Sequence, residues 1–140
     1  MGGLAPDGGL YLPERWPVLP YAAPDAYAEL AAAVMGPFVA DEVAPDDFAA
    51  MVADAYATFS SPEVCPLIEL EPGHHLLELF HGPTLAFKDV ALQLVGRLFD
   101  HELRGRDDRV TIVGATSGDT GSAAMEAVRG SERVDIVILF

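Results

Sequence analysis

A chain of 140 residues is long enough for one domain, or for a small domain and part of another. With 51% apolar and 21% charged residues it has the balance of a packed protein and not of a disordered coil. The formal charge of −14, from 22 acidic and 8 basic residues, argues against a nucleic-acid partner, whose phosphates need basic side chains.

No stretch approaches the ~20 unbroken apolar residues of a membrane span, so no membrane partner is expected. The opening residues lack a basic region followed by an apolar run, which speaks against a secretory signal. A single cysteine, Cys65, cannot form an internal disulfide, and a cytoplasmic location is the expectation.

The first twenty residues are rich in glycine and proline and read as an irregular or edge-strand segment, with Trp16 and Tyr11 as a packing clamp. Residues 26–35 and 46–59 read as alanine-rich helices. Pro45 stands at the mouth of the second, with Asp46 and Asp47 in the first turn, where the helix dipole favours negative charge. Residues 67–70 and 76–80 are short apolar runs expected to be strands, and Cys65 beside Pro66 is expected to be buried. His74, His75 and His81 do not suggest a metal site: adjacent histidines rarely converge on one ion, and no acidic or cysteine partner has zinc-like spacing.

Residues 89–103 predict an amphipathic helix with Ala91, Leu94, Val95, Leu98, Phe99 and Leu103 on one face. A β-branched strand over 109–114, a glycine-rich turn, a helix over 120–128 and a strand over 134–140 complete a βαβ unit, which implies a parallel sheet. So short a parallel sheet cannot cover both its faces, and the chain is expected to be a piece of a larger protein. The fold class is therefore α/β. A small, mostly helical domain over 1–75 is followed, over 76–140, by an incomplete layered α/β domain.

Two motifs carry chemistry. In His81-Gly82-Pro83-Thr84-Leu85-Ala86-Phe87-Lys88-Asp89, a Gly-Pro turn delivers the sole lysine of the chain to the start of a helix. The helix dipole there disfavours a cation, and dipole and partial burial together favour the uncharged amine, the form that attacks an aldehyde. Arginine, which supplies the other seven basic residues, cannot do that. The plainer alternative is an exposed lysine of little consequence. The second motif, residues 114–122 (GATSGDTGS), lies between strand and helix, where open α/β sheets bind ligands. Its glycines allow close backbone approach, and free N–H groups at a helix start suit a phosphate or carboxylate. No lysine follows the last glycine, as a Walker phosphate loop requires, and Ser117 precedes Gly118 directly, unlike a hydrolase elbow. A dinucleotide turn and a turn shaped only by packing remain open.

Together the two motifs resemble the fold-type II pyridoxal-phosphate enzymes, and most closely the threonine synthase family. The opening GLAPDGGLYLPE resembles that family's N-terminal domain. The resemblance implies a three-layer αβα catalytic domain like that of tryptophan synthase β. It implies Lys88 as the lysine bonded to pyridoxal 5'-phosphate, with Phe87 and Asp119 also beside the cofactor. It further implies Thr116, Ser117, Gly118, Asp119 and Thr120 as the substrate loop. The expected reaction converts O-phospho-L-homoserine and water to L-threonine and phosphate, with Lys88 moving protons. His81 and Asp89 flank the lysine as supports, Asp89 reading otherwise as a plain first-turn helix acid. Family members hold the cofactor's phosphate and pyridine nitrogen through residues farther along than 140, so catalysis by this chain alone is not expected. The alternatives are a related enzyme acting on serine-like substrates and a non-catalytic packing module.

Overall fold

A computed structural model describes residues 4–19 and 24–140. Residues 1–3 and 20, part of the expected irregular N-terminal segment, lie outside the described ones. Residues 4–19 form turns and bends without a regular element. Asp7 shapes the first turn by accepting Gly9 N–H at 2.9 Å, and Gly8 N–H bonds Ala5 O at 2.8 Å. The expected clamp does not close: Trp16 meets Phe38 edge-on at 6.4 Å, but both Trp16 and Tyr11 are exposed.

Helix α1 (Tyr27–Met35) runs into a 3₁₀ turn (Gly36–Phe38) and packs on α2 (Pro45–Tyr56). Phe48, Val52, Ala55 and Tyr56 recur along α2 at helical spacing and form its buried stripe. They meet Val64 and Leu94 in a first core. Tyr27 stands edge-on to Tyr56 at 5.0 Å, and Tyr56 donates its hydroxyl to Val90 O at 3.2 Å. Cys65 is only half-buried, at the rim of this core, with its Sγ 3.9 Å from the Tyr27 hydroxyl. Burial first, and then that thiol contact, push the Tyr27 hydroxyl's pKa upward; burial does the same to Tyr56.

Helix α2 ends three residues before the expected Phe59. The Thr58 hydroxyl donates to Ala55 O at 2.8 Å, a local bond that competes with continuing the helix. Strands β1 (Leu67–Glu71) and β2 (His74–Leu77) form an antiparallel hairpin. The second strand starts two residues earlier than the apolar run suggested, because the Pro72-Gly73 turn sets the register and pairs Glu71 with His74.

Helix α3 (Asp89–Arg106) packs against α2 on one side and α4 (Asp119–Ala127) on another, so its buried surface is no single stripe. Leu94 and Leu103 are buried as expected, but Ala91 and Val95 are exposed, and Gln93 and Gly96 are buried in their place. Strands β3 (Val110–Ala115) and β4 (Val134–Leu139) pair in parallel, Val110 opposite Val134 through Ala115 opposite Leu139. Leu103, Val128 and Val134 form a second core with Ile112 and Ile136 from the inward face of this pair. The outward face leaves Val113, Val137 and Leu139 exposed. The α/β class holds: a small helical part leads into the beginning of an α/β domain. The first core draws on residues from both sides of position 76, since Val90, Leu94 and Leu98 of α3 close over α2.

Candidate active site

Lys88 is the N-cap of α3, and its carbonyl accepts the N–H groups of Ala91 (3.2 Å) and Leu92 (2.9 Å). The residue is half-buried, and its Nζ lies 4.1 Å from the centroid of the Phe87 ring, within cation–π range. A cavity of about 450 Å³ opens beside it, lined by Leu79, Val90, Ala91 and Leu92 together with Phe87, Lys88 and Thr120. Its walls are almost wholly apolar, with one amine and one hydroxyl as polar groups.

The loop before Lys88 is tightly tied. Leu85 N–H bonds Gly82 O at 3.1 Å, and Leu85 itself is left-handed at φ 63. A non-glycine residue held there costs of the order of 1–3 kcal/mol and persists only where its surroundings fix it. Asp89 supplies part of that fixing: it is 0% exposed and turns back to accept Thr84 N–H at 2.8 Å. The Thr84 hydroxyl donates to the same carboxylate, 2.8 Å from Oδ1 and 2.9 Å from Oδ2. Gly82 passes so close to Asp89 that a Cβ there would stand 2.4 Å from the Asp89 Cβ. His81 is gripped from two sides, its Nε2 2.7 Å from Glu78 Oε2 and its carbonyl accepting Ser60 N–H at 2.9 Å. Asp89 is thus a first-turn acid by position but a buried brace by contact. Gly82 and Thr84 belong to the lysine motif in the sequence but carried no bracing role there, and nothing in the sequence signals that Glu78 and Ser60 meet His81.

The glycine turn is built differently. Gly118 caps α4 at φ 86, ψ −129, a conformation that side chains resist. The first intrahelical bond is Ser122 N–H to Gly118 O at 3.2 Å, so the N–H groups of Asp119, Thr120 and Gly121 open the helix without an intrahelical acceptor. Ser117, Gly118, Asp119 and Thr120 are exposed, and Thr116 is half-buried. Of the five loop residues, Thr120 shares the Lys88 cavity. Thr116 and Gly118 line a second hollow of about 310 Å³ with Ser122, Met125 and Phe140, at the carboxyl end of the β3–β4 pair. Ser117 and Asp119 line neither.

The cavity fits the aldehyde end of pyridoxal phosphate: an amine beside aromatic and aliphatic walls suits a flat ring carrying a carbonyl.

A helical segment, then a βαβ unit with a glycine turn at the carboxyl end of its first strand, defines an α/β protein of the class that binds ligands at strand ends. Residues 1–56 match the family model described as threonine synthase N terminus. The chain is 51% identical to the threonine synthase of Pseudomonas aeruginosa, covering 99% of itself and 31% of that protein. It is 44% identical to the threonine synthase of Saccharomyces cerevisiae, covering 99% and 30%. Among solved structures, the PLP-bound threonine synthase of Brucella melitensis superposes with a TM-score of 0.91 at 52% identity, over 99% of this chain and 31% of that one. The chain is similar to the N-terminal portion of these threonine synthases, and it spans about a third of their length.

Proposed function

We propose that this chain carries the cofactor lysine and substrate loop of a pyridoxal-phosphate-dependent synthase that converts O-phospho-L-homoserine and water to L-threonine and phosphate. The observation that supports this best is the half-buried Lys88 amine, which shares one apolar cavity with Phe87 and Thr120. Bound there, pyridoxal phosphate would supply an electron sink for the electrons left when a proton departs next to the substrate's amino-bearing carbon.

In this reading the Lys88 amine holds the cofactor covalently. The same amine, when free, would serve as the base that moves protons between adjacent carbons of the substrate. Phe87 provides an aromatic wall. The open N–H groups at the start of α4, with the hydroxyls of Thr116, Ser117 and Thr120, hold the substrate carboxylate, and Gly118 lets the backbone come close enough to do so. Asp119 stands at the cofactor's edge. Apolar walls at Leu79, Val90 and Leu92 would shield one side of the reacting carbons from water. The same reading assigns residues 1–75 to the family's N-terminal domain and 76–140 to the beginning of its catalytic domain. It also places the protein in the cytoplasm, acting on a small molecule. Turnover belongs to a protein of the relatives' full length, of which this chain covers about a third.

Phosphate release tests the proposal. A full-length protein should liberate phosphate from O-phosphohomoserine, and Lys88→Arg should abolish this while leaving the fold intact. Activity on serine with none on O-phosphohomoserine would transfer the site to a related dehydrating enzyme.

A further inference from the structure

The strongest unexplained feature near the site is the carboxylate that follows the lysine. Asp89 is fully buried, yet both its oxygens face Thr84. A buried carboxylate needs donors, and a single residue supplies them through its backbone N–H and its hydroxyl. The result is a closed ring over residues 84–89 with Lys88 inside it. Two further features depend on that ring. Gly82 lies against the Asp89 side chain with no room for a Cβ, and Leu85 is held left-handed within it. At its far side the Phe87 ring lies 4.1 Å from the Lys88 amine. The lysine therefore leaves a loop that the Thr84–Asp89 pair closes around it.

We infer that Asp89 and Thr84 are a positioning pair that aims the Lys88 side chain into its cavity. Asp89 acts through the loop and does not touch the ligand. The catalytic consequence rests on the function proposed above; the positioning is a property of the loop itself. If the Thr84 hydroxyl is lost, the carboxylate keeps only the Thr84 N–H and must draw on water. If the carboxylate is lost, the Thr84 donors lose their acceptor. In either case the loop loosens and the lysine loses its fixed direction.

Lys88 is the sole lysine, so reductive methylation with ¹³C-formaldehyde places one reporter on it, separate from the terminal amine. In the 140-residue protein, the wild-type reporter should give a resonance displaced from that of free dimethyl-lysine. Thr84→Ser, which keeps both donors, should retain that position. Thr84→Val, which keeps the carboxylate but removes the hydroxyl, and Asp89→Asn should each move the resonance toward the free value, with circular dichroism unchanged. In a full-length protein the same two variants should label more slowly with pyridoxal phosphate and borohydride, by roughly tenfold, with Thr84→Ser at the wild-type rate. An unchanged resonance and labelling rate in Thr84→Val overturns the positioning role, and that variant decides the matter even where Asp89→Asn fails to fold. A wild-type protein with the displaced resonance but no pyridoxyl label keeps the positioning pair and removes the proposed function instead.

Discussion

The two halves of the candidate site are built on opposite principles. The loop over 81–89 is fixed from several directions: Asp89 is buried against Thr84 and Gly82, and Glu78 and Ser60 hold His81. The turn over 114–120 is mostly exposed, is shaped by one glycine, and leaves backbone N–H groups open at the start of α4. A group that must form and break a covalent bond gains from a fixed direction. A group that only grips an anion can offer backbone donors and settle around what arrives. The difference teaches that the bracing contacts are concentrated in the loop that carries Lys88.

Mutations can break or sharpen that contrast. The largest effect is expected for Lys88→Arg, which should eliminate covalent capture of pyridoxal phosphate while shifting the melting temperature by no more than a few degrees. Gly82→Ala comes next, since its Cβ would stand 2.4 Å from that of Asp89. It should destabilise the protein by about 2–3 kcal/mol, read by urea unfolding. Gly118→Ala should cost less, about 1–2 kcal/mol, because nothing lies within 4 Å of its would-be Cβ and only backbone strain opposes it. Ser117→Ala, on the exposed turn, should change stability by less than about 0.5 kcal/mol and show itself only as weaker substrate binding. If Gly118→Ala proves more disruptive than Gly82→Ala, the contrast between a braced loop and an open turn is wrong.

A smaller effect concerns the helical core. Tyr27 and Tyr56 have pKa values raised in the folded protein, by burial foremost. Their contribution to stability is therefore complete below the unfolded tyrosine value near pH ~10 and is lost as pH rises beyond it. Thermal melts from pH 8 to 11 should show a decline that Tyr27→Phe makes shallower.

Much of this organisation is legible in the sequence because local rules and tertiary structure agree. Pro45 with Asp46 and Asp47 marks the start of α2, and β-branched runs around a glycine turn give β3, α4 and β4. Lys88 at a helix start follows from the Gly-Pro turn before it. The misreadings arise where distant contacts decide. Ala91 and Val95 satisfy a helical stripe, but α3 serves two neighbours, and Gln93 and Gly96 occupy the buried positions. Asp89 has the composition of a surface acid, and only the path of the loop reveals that Thr84 returns to meet it. Leu85 could not be foreseen as left-handed, since that conformation normally calls for glycine or asparagine.

Covalent capture tests the central claim most directly. A full-length protein incubated with pyridoxal phosphate, reduced with borohydride and digested should carry a pyridoxyl group on the peptide containing Lys88, in near-stoichiometric yield. A protein that folds but leaves that peptide unmodified would contradict the account, however well the rest of the chain matches its relatives.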